Sequence, residues 1–201
     1  MNIAVFCSGR GTNFQAIIDS VKKKKIKAKI RLMVCDNPSA YALERAKKER
    51  IKSVLIERKN FKTKDEFEAE IIKNLEKEKI GLICLAGFMR MLSPNFVKRY
   101  RNRILNIHPA ILPSFKGTCG IEDAFNYGVK VTGVTVHFVD EEMDGGPIIL
   151  QKEVRITESD TLESLEEKIH KTEHKLYPEA VRLFTEKRLK IEGRKVKILS
   201  S

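Results

Sequence analysis

The 201-residue sequence predicts a single α/β domain, with a mostly parallel twisted sheet, helices on both faces and an antiparallel strand pair near the C-terminus. Three observations lead there. Short apolar runs alternate with longer amphipathic stretches through the first half of the chain, which is the pattern of a parallel sheet covered by helices. Beyond residue 131 the pattern changes to two strand-like runs joined by a tight Gly-Gly-Pro turn, which suits an antiparallel pair. A chain of 201 residues with 42% hydrophobic content fills one core and leaves no room for two large domains.

Taken in order, strands are expected over residues 2–7, 28–35, 53–56, 80–86 and 104–106. Helices are expected over 13–24, 41–50 and 63–79, with a shorter one after Pro94. The antiparallel pair is placed at 132–139 and 147–154. One long helix follows over 161–187, interrupted at Tyr177-Pro178 because proline lacks the N–H that a helix interior needs. The tail over 189–199 reads as a small hairpin around Gly193.

Chemistry concentrates between residues 104 and 144. The run Ile104-Leu105-Asn106-Ile107-His108-Pro109 reads as a buried strand that carries an amide and an imidazole on one face, since residues i and i+2 of a strand point the same way. Asp144, before Gly145-Gly146-Pro147, can lie beside that imidazole if the two segments are neighbours in the sheet. An amide donates to a developing oxyanion, an imidazole moves protons, and a carboxylate orients the imidazole and favours its charged form. These are the parts of acyl-group chemistry.

The first strand leads into Ser8-Gly9-Arg10-Gly11-Thr12-Asn13, a glycine-rich turn that opens a helix. Bare backbone N–H groups and a positive dipole end make this a phosphate pocket in outline, with Thr12 or Asn13 as the expected helix cap. It is not the dinucleotide fingerprint, whose third glycine would fall at Phe14, nor a P-loop, since no Gly-Lys-Thr follows. Gly87-Phe88-Met89-Arg90-Met91-Leu92 places bulky apolar residues in a loop, where they either roof the core or line a pocket for a flat aromatic ligand.

Thirty-nine Lys and Arg against 27 Asp and Glu give a formal charge of +12. Lys and Glu are mixed along most helices, which describes solvated helix faces better than a nucleic-acid surface. The dense run Lys22-Lys23-Lys24-Lys25 closes a helix, where cations suit the dipole. Cys7, Cys35, Cys84 and Cys119 lie far apart and are expected to be reduced thiols. The longest apolar runs fall far short of the roughly 20 residues of a membrane helix, and no secretory signal pattern opens the chain, so a cytoplasmic protein is expected. His170-Lys171-Thr172-Glu173-His174 fits the spacing of inverted zinc peptidases, but a catalytic zinc needs a third protein ligand and a cleft that the remaining residues are too few to build. Glu173 is read instead as a carboxylate facing the site, with His174 packed or capping.

Five motifs in order, Ser8-Gly9-Arg10-Gly11-Thr12-Asn13, Leu85-Ala86-Gly87-Phe88-Met89-Arg90, Asn106-Ile107-His108-Pro109, Thr135-Val136-His137-Phe138 and Asp144-Gly145-Gly146-Pro147, make the sequence resemble the folate-dependent phosphoribosylglycinamide formyltransferases. The helix with Glu173-His174-Lys175-Leu176-Tyr177-Pro178 fits as well. The resemblance implies a single formyltransferase domain over 1–201, with a phosphate-binding half over 1–100 and a catalytic and folate-binding half over 101–201. It implies formyl transfer from 10-formyltetrahydrofolate, as co-substrate, to the amine of glycinamide ribonucleotide in purine synthesis, without a metal. Asn106, His108 and Asp144 would be catalytic, with Asn106 and His108 receiving the oxyanion and Asp144 raising the His108 pKa and ordering a water for the proton relay. Gly11, Thr12 and Asn13 would hold the ribonucleotide phosphate, and His170, Lys171, Thr172 and Glu173 would contact the ribonucleotide. Met89, Arg90, Met91 and Leu92, together with Asn106 and Asp140, Glu141, Glu142, Met143 and Asp144, would line the folate pocket, with Lys64 as a cation on that side. The implied partners are these two small molecules, with no nucleic acid and no membrane, for a monomer or homodimer.

The sequence departs from that family pattern at Thr118-Cys119-Gly120-Ile121, where one or two histidines are usual, and at His170, where an amide or lysine is more common. Alternatives within the fold are a formyl-folate hydrolase or the domain that formylates methionyl-tRNA, which usually carry a further domain. Outside it stand a non-catalytic folate or nucleotide binder and a basic RNA-binding module, the last marked by steep salt dependence.

Overall fold

A computed structural model describes residues 1–200. A nine-stranded sheet runs in the order β3-β2-β1-β4-β5-β6-β7-β9-β8. Its strands are β1 Asn2–Cys7, β2 Lys29–Cys35, β3 Ser53–Leu55, β4 Leu82–Leu85, β5 Ile104–His108, β6 Val131–Phe138, β7 Ile148–Arg155, β8 Leu189–Glu192 and β9 Lys195–Ile198. The first five pair in parallel, and β6 and β7 then turn the sheet antiparallel. The C-terminal hairpin β8–β9 joins the edge through a parallel bridge of Ile148 with Lys195. The helices are α1 Thr12–Lys22, α2 Tyr41–Lys48, α3 Lys64–Lys77, α4 Pro94–Arg99, α5 Gly120–Tyr127 and α6 Leu162–Thr185.

Strand alternation divides the interior into two cores. In β1, Ile3, Val5 and Cys7 face α1 and α6, while Ala4 and Phe6 face α3 and α4. On the first side Phe14 and Ile17 of α1 meet Ile169, Tyr177 and Val181 of α6, and on the second Phe67, Ile71 and Leu75 of α3 meet Phe96 of α4. α3 opens on a capping box between Thr63 and Glu66, and α4 opens on Ser93 with Pro94 in its first turn, where a missing N–H costs nothing.

Three expectations are corrected here. Helix α6 is not interrupted at Pro178 but runs unbroken from Leu162 to Thr185. Glu173, Tyr177, Ala180 and Val181, on both sides of the proline, are buried, and that packing offsets the one backbone bond Pro178 cannot make. Helix α5 lies between β5 and β6, where the sequence leads to no helix being expected. Its Ile121, Ala124 and Phe125 do have helical spacing, and Gly128 at φ 82° stops it, but eight residues after a glycine-rich turn are a weak signal. Finally, α1 has no side-chain cap from Thr12 or Asn13, because the cap position is Gly11, left-handed at φ 68°.

Tyr177 ties α6 to the centre of the sheet. Its fully buried hydroxyl lies 2.8 Å from the Leu85 carbonyl, at the end of β4, and 2.9 Å from the Leu105 carbonyl, next to Asn106 in β5. Tyr177→Phe is expected to lower unfolding free energy by about 1–2 kcal/mol in denaturant titration, the usual cost of unpaired buried carbonyls. An unchanged midpoint would show that this hydroxyl holds nothing.

Candidate active site

Antiparallel register assembles the polar cluster. Asn106 stands opposite His137 and His108 opposite Thr135, while their neighbours Leu105, Ile107, Val136 and Phe138 point into the α6 core. All four polar side chains therefore share the face turned away from α6. The β6–β7 connection brings Asp144 back onto this face in a left-handed conformation, φ 50°. Gly146 makes that turn possible, because a Cβ there would collide with the Phe138 carbonyl.

Asp144 Oδ2 lies 3.4 Å from His108 Nδ1 and accepts a bond from the Gly117 N–H at 2.9 Å. Asp144 Oδ1 lies 3.6 Å from His137 Nε2 and 3.4 Å from Asn106 Nδ2. Asn106 Nδ2 makes its closer contact, 3.2 Å, with His137 Nε2, whose other ring nitrogen, Nδ1, lies 2.8 Å from the Phe138 carbonyl. These contacts fit a His137 tautomer protonated at Nδ1 and accepting from Asn106. His137 thus belongs to the cluster as closely as the three residues predicted to be catalytic. Its signal was available, since it faces out two residues from Thr135 on a strand that neighbours Asn106.

Both nitrogens of His108 face acceptors, Asp144 Oδ2 and the Phe115 carbonyl at 2.7 Å from Nε2. The histidine is nonetheless held below its ordinary pKa. Burial, which disfavours the charged ring, outweighs the Asp144 charge and the Phe115 bond, which favour it. The expected upward push of the Asp144 charge on the His108 pKa is therefore present, while burial sets the net direction. Burial is also the largest single influence on Asp144, pushing it up, but the neighbouring His137 ring, the Gly117 N–H bond and the His108 ring together hold its carboxyl below the usual range.

The loop from Phe115 to Gly117 meets this cluster through backbone atoms alone. Thr118 and Cys119, at the departure from the family pattern, are exposed at the start of α5.

Beyond the carboxyl end of β1, at the same strand ends as His108, Gly11 packs so closely on α2 that a Cβ would lie 2.8 Å from the Ala42 side chain. The first α1 bond runs from the Gln15 N–H to the Gly11 carbonyl, so the N–H groups of the first turn carry no helical partner and are free to bind an anion. Buried Glu173 Oε2 accepts from Asn13 Nδ2 at 2.9 Å and lies 3.1 Å from His170 Nδ1, which joins α1 and α6 at this point. That bond raises the His170 pKa. Lys171 points outward to Glu167, and the Thr172 hydroxyl bonds the Lys168 carbonyl, so neither converges on the loop. His174 packs face to face with His170, ring centroids 6.4 Å apart. An open cavity of about 700 Å³ between α1, α2 and α6 is lined by Thr12, next to Gly11, and by His174 of α6, but not by Asn106, His108 or Asp144.

The loop after β4 divides between core and surface. Leu92 is buried and Phe88 packs edge-on to Phe6 at 5.2 Å, roofing the core, while Met89 and Met91 are exposed. Met143 is exposed on the loop of Asp140, Glu141, Glu142 and Asp144. Asp140 Oδ1 accepts from the Glu142 N–H, and Glu142 is paired with Lys116. Lys64, exposed, sits one helical turn before buried Glu68, which accepts from the Ser93 N–H at 2.7 Å, so it stands near the end of the 87–92 loop.

Comparison with known proteins gives a consistent result. A family profile described as formyl transferase matches residues 1–181. Phosphoribosylglycinamide formyltransferase of Bacillus subtilis is 47% identical over 179 residues, covering 89% of this chain and 92% of that protein. The human trifunctional purine biosynthetic protein adenosine-3 is 42% identical over 181 residues, 90% of this chain and 18% of that one. A crystal structure of glycinamide ribonucleotide transformylase 1 from Symbiobacterium toebii superposes with a TM-score of 0.97 at 42% identity, covering all of this chain and 94% of that one.

The electrostatics predict an ordered set of titrations. By NMR, His108 is expected to titrate below the ordinary histidine value and His170 above it. Asp144→Asn should move His108 lower still, because the charge that favours its imidazolium is gone. A rise in that variant would contradict the balance described.

Proposed function

The chain belongs to the formyl transferase family, and we propose that it carries a formyl group from 10-formyltetrahydrofolate to the amine of glycinamide ribonucleotide in purine biosynthesis, with Asn106, His108 and Asp144 as its catalytic residues. The single observation that carries the site assignment is the convergence of these three side chains, from strand β5 and the turn that returns after β6, on one face of the sheet.

The amine nitrogen attacks the formyl carbon, and the carbonyl electrons move onto the formyl oxygen. The Asn106 amide is the donor for that oxygen. Its 3.4 Å contact with Asp144 is long enough to give way to a better acceptor, while the 3.2 Å contact with His137 keeps the amide oriented. His108 is neutral near pH 7 and so can take a proton, and the neighbouring carboxylate stabilises the imidazolium that forms. As the bond from formyl carbon to the folate nitrogen breaks, the proton taken from the amine is returned to that nitrogen. Bond and proton inventories balance without a redox partner.

Gly11, Thr12 and Asn13 hold the ribonucleotide phosphate through the unpartnered N–H groups of the first α1 turn. Glu173 and His170 contact the rest of the ribonucleotide, with Thr172 and Lys171 at its outer margin. Met89, Arg90, Met91 and Leu92, with Asn106 and the stretch Asp140, Glu141, Glu142, Met143 and Asp144, line the folate pocket, and Lys64 is a cation at its rim. Exposed methionines on both loops suit a flat ring system, because their flexible thioethers adapt to its faces.

His108→Ala and Asp144→Asn are expected to keep the fold, by circular dichroism, and to lose at least about 100-fold in kcat. Wild-type protein should release folate product only when glycinamide ribonucleotide is present. Wild-type rates in either variant would remove the assigned roles, and release without the ribonucleotide would make the protein a hydrolase.

A further inference from the structure

Strand order reverses between β1 and β4, and ligands of open α/β sheets bind outside the carboxyl ends of the strands at such a point. The loops leaving these two strands are the candidate phosphate loop and the candidate formyl-donor loop. One buried residue joins them. The Ser8 N–H donates to the Gly87 carbonyl at 2.9 Å, the Ser8 hydroxyl accepts from the Met89 N–H at 2.9 Å, and the Ser8 carbonyl accepts from the Asn37 side chain at 3.0 Å. The same hydroxyl donates to Asp36 Oδ1 at 2.6 Å, and Asp36 Oδ2 accepts from Arg90 Nε at 2.7 Å. The Asp36 side chain is 4% exposed, the Arg90 side chain 50%.

A half-exposed arginine on a loop samples many rotamers, and a buried carboxylate without a partner is costly. Here each removes the other's problem. The two oxygens of one carboxylate address two consecutive residues, Oδ2 reaching Arg90 directly and Oδ1 reaching Met89 through Ser8. Because the two oxygens reach a side chain and, through Ser8, a backbone N–H, this arrangement fixes both the backbone and the side chain of the donor loop. It also sets that loop against the residue that precedes the phosphate loop.

We propose that Ser8 and Asp36 are positioning residues for the formyl donor, holding Met89 and Arg90 in the conformation that receives it and registering the donor loop against the phosphate loop. The inference rests on the formyl-transfer reading above.

The test is steady-state kinetics of the full chain with 10-formyl-5,8-dideazafolate and glycinamide ribonucleotide. Asp36→Asn keeps the shape and the acceptor for Ser8 but removes the charged acceptor of Arg90. It should raise the donor KM about tenfold, as loss of a charge-assisted bond does. Acceptor KM and kcat should stay within about twofold, since nothing made only in the transition state is lost. Arg90→Ala should raise the donor KM comparably, and Asp36→Asn added to it should cost nothing more, because Asp36 acts through Arg90. Ser8→Ala, which removes the bond to Met89, should also raise the donor KM and gives the same test if Asp36→Asn folds poorly. An unchanged donor KM, an equal rise in both KM values, or full additivity with Arg90→Ala would overturn the proposal. Wild-type protein that turns over while the variants keep its donor KM overturns the positioning role alone, whereas wild-type protein with no ribonucleotide-dependent turnover overturns the formyl-transfer reading and this inference with it.

Discussion

Because β6 runs back along β5 with His137 opposite Asn106 and Thr135 opposite His108, side chains two residues apart on each strand share the face turned away from α6. A slip of one residue would turn Asn106, His108 and His137 into the α6 core and bring Ile107 and Val136 out. Apolar residues on the inner face therefore enforce the geometry of the polar face. The parallel half of the sheet cannot supply this arrangement, since parallel neighbours need a crossover and none returns a short turn to the same strand ends. The switch to antiparallel pairing after β5 is what lets Asp144 fold back within a few residues of His137.

The cluster is buried, so its members depend on one another. His108 and His137 are 3% and 2% exposed in their side chains, and Asp144 is 10%. In such a site an unpaired polar group costs far more than a paired one returns. Asn106, the two imidazoles and Asp144 satisfy each other with help from three backbone groups, the Phe115 and Phe138 carbonyls and the Gly117 N–H. Since the 115–117 loop acts through its backbone, the change at Thr118-Cys119-Gly120-Ile121 leaves its contacts with the cluster in place. Burial also decides the protonation of His108, keeping a base available near neutral pH beside a carboxylate that stays charged.

Much of this was readable from local pattern. The strands, most helices and the C-terminal hairpin follow from apolar periodicity, and Asn106 and His108 could be paired because strand geometry fixes i and i+2 on one face. Asp144 was recognisable from its Gly-Gly-Pro turn. What pattern could not show depends on distant contacts. Continuity of α6 through Pro178 needs the packing of Tyr177 and Val181 against the sheet. The absence of a Thr12 or Asn13 cap follows from Gly11 lying against Ala42, and Asn13 spends its side chain on Glu173, 160 residues away. The net direction of the His108 shift is a balance of burial against charge, and burial is a property of the folded chain. Ser8, Asp36 and Arg90 lie on three separate segments, so their chain of bonds has no sequence signature.

The central claim, that an amine rather than water receives the formyl group at this cluster, is most directly tested with a donor carrying ¹³C in the formyl group. The reaction with glycinamide ribonucleotide would be followed by ¹³C NMR in a single turnover. The account predicts that the label moves from the donor to the formamide carbon of the ribonucleotide product. Label appearing as formate would contradict it, because the same site would then be activating water.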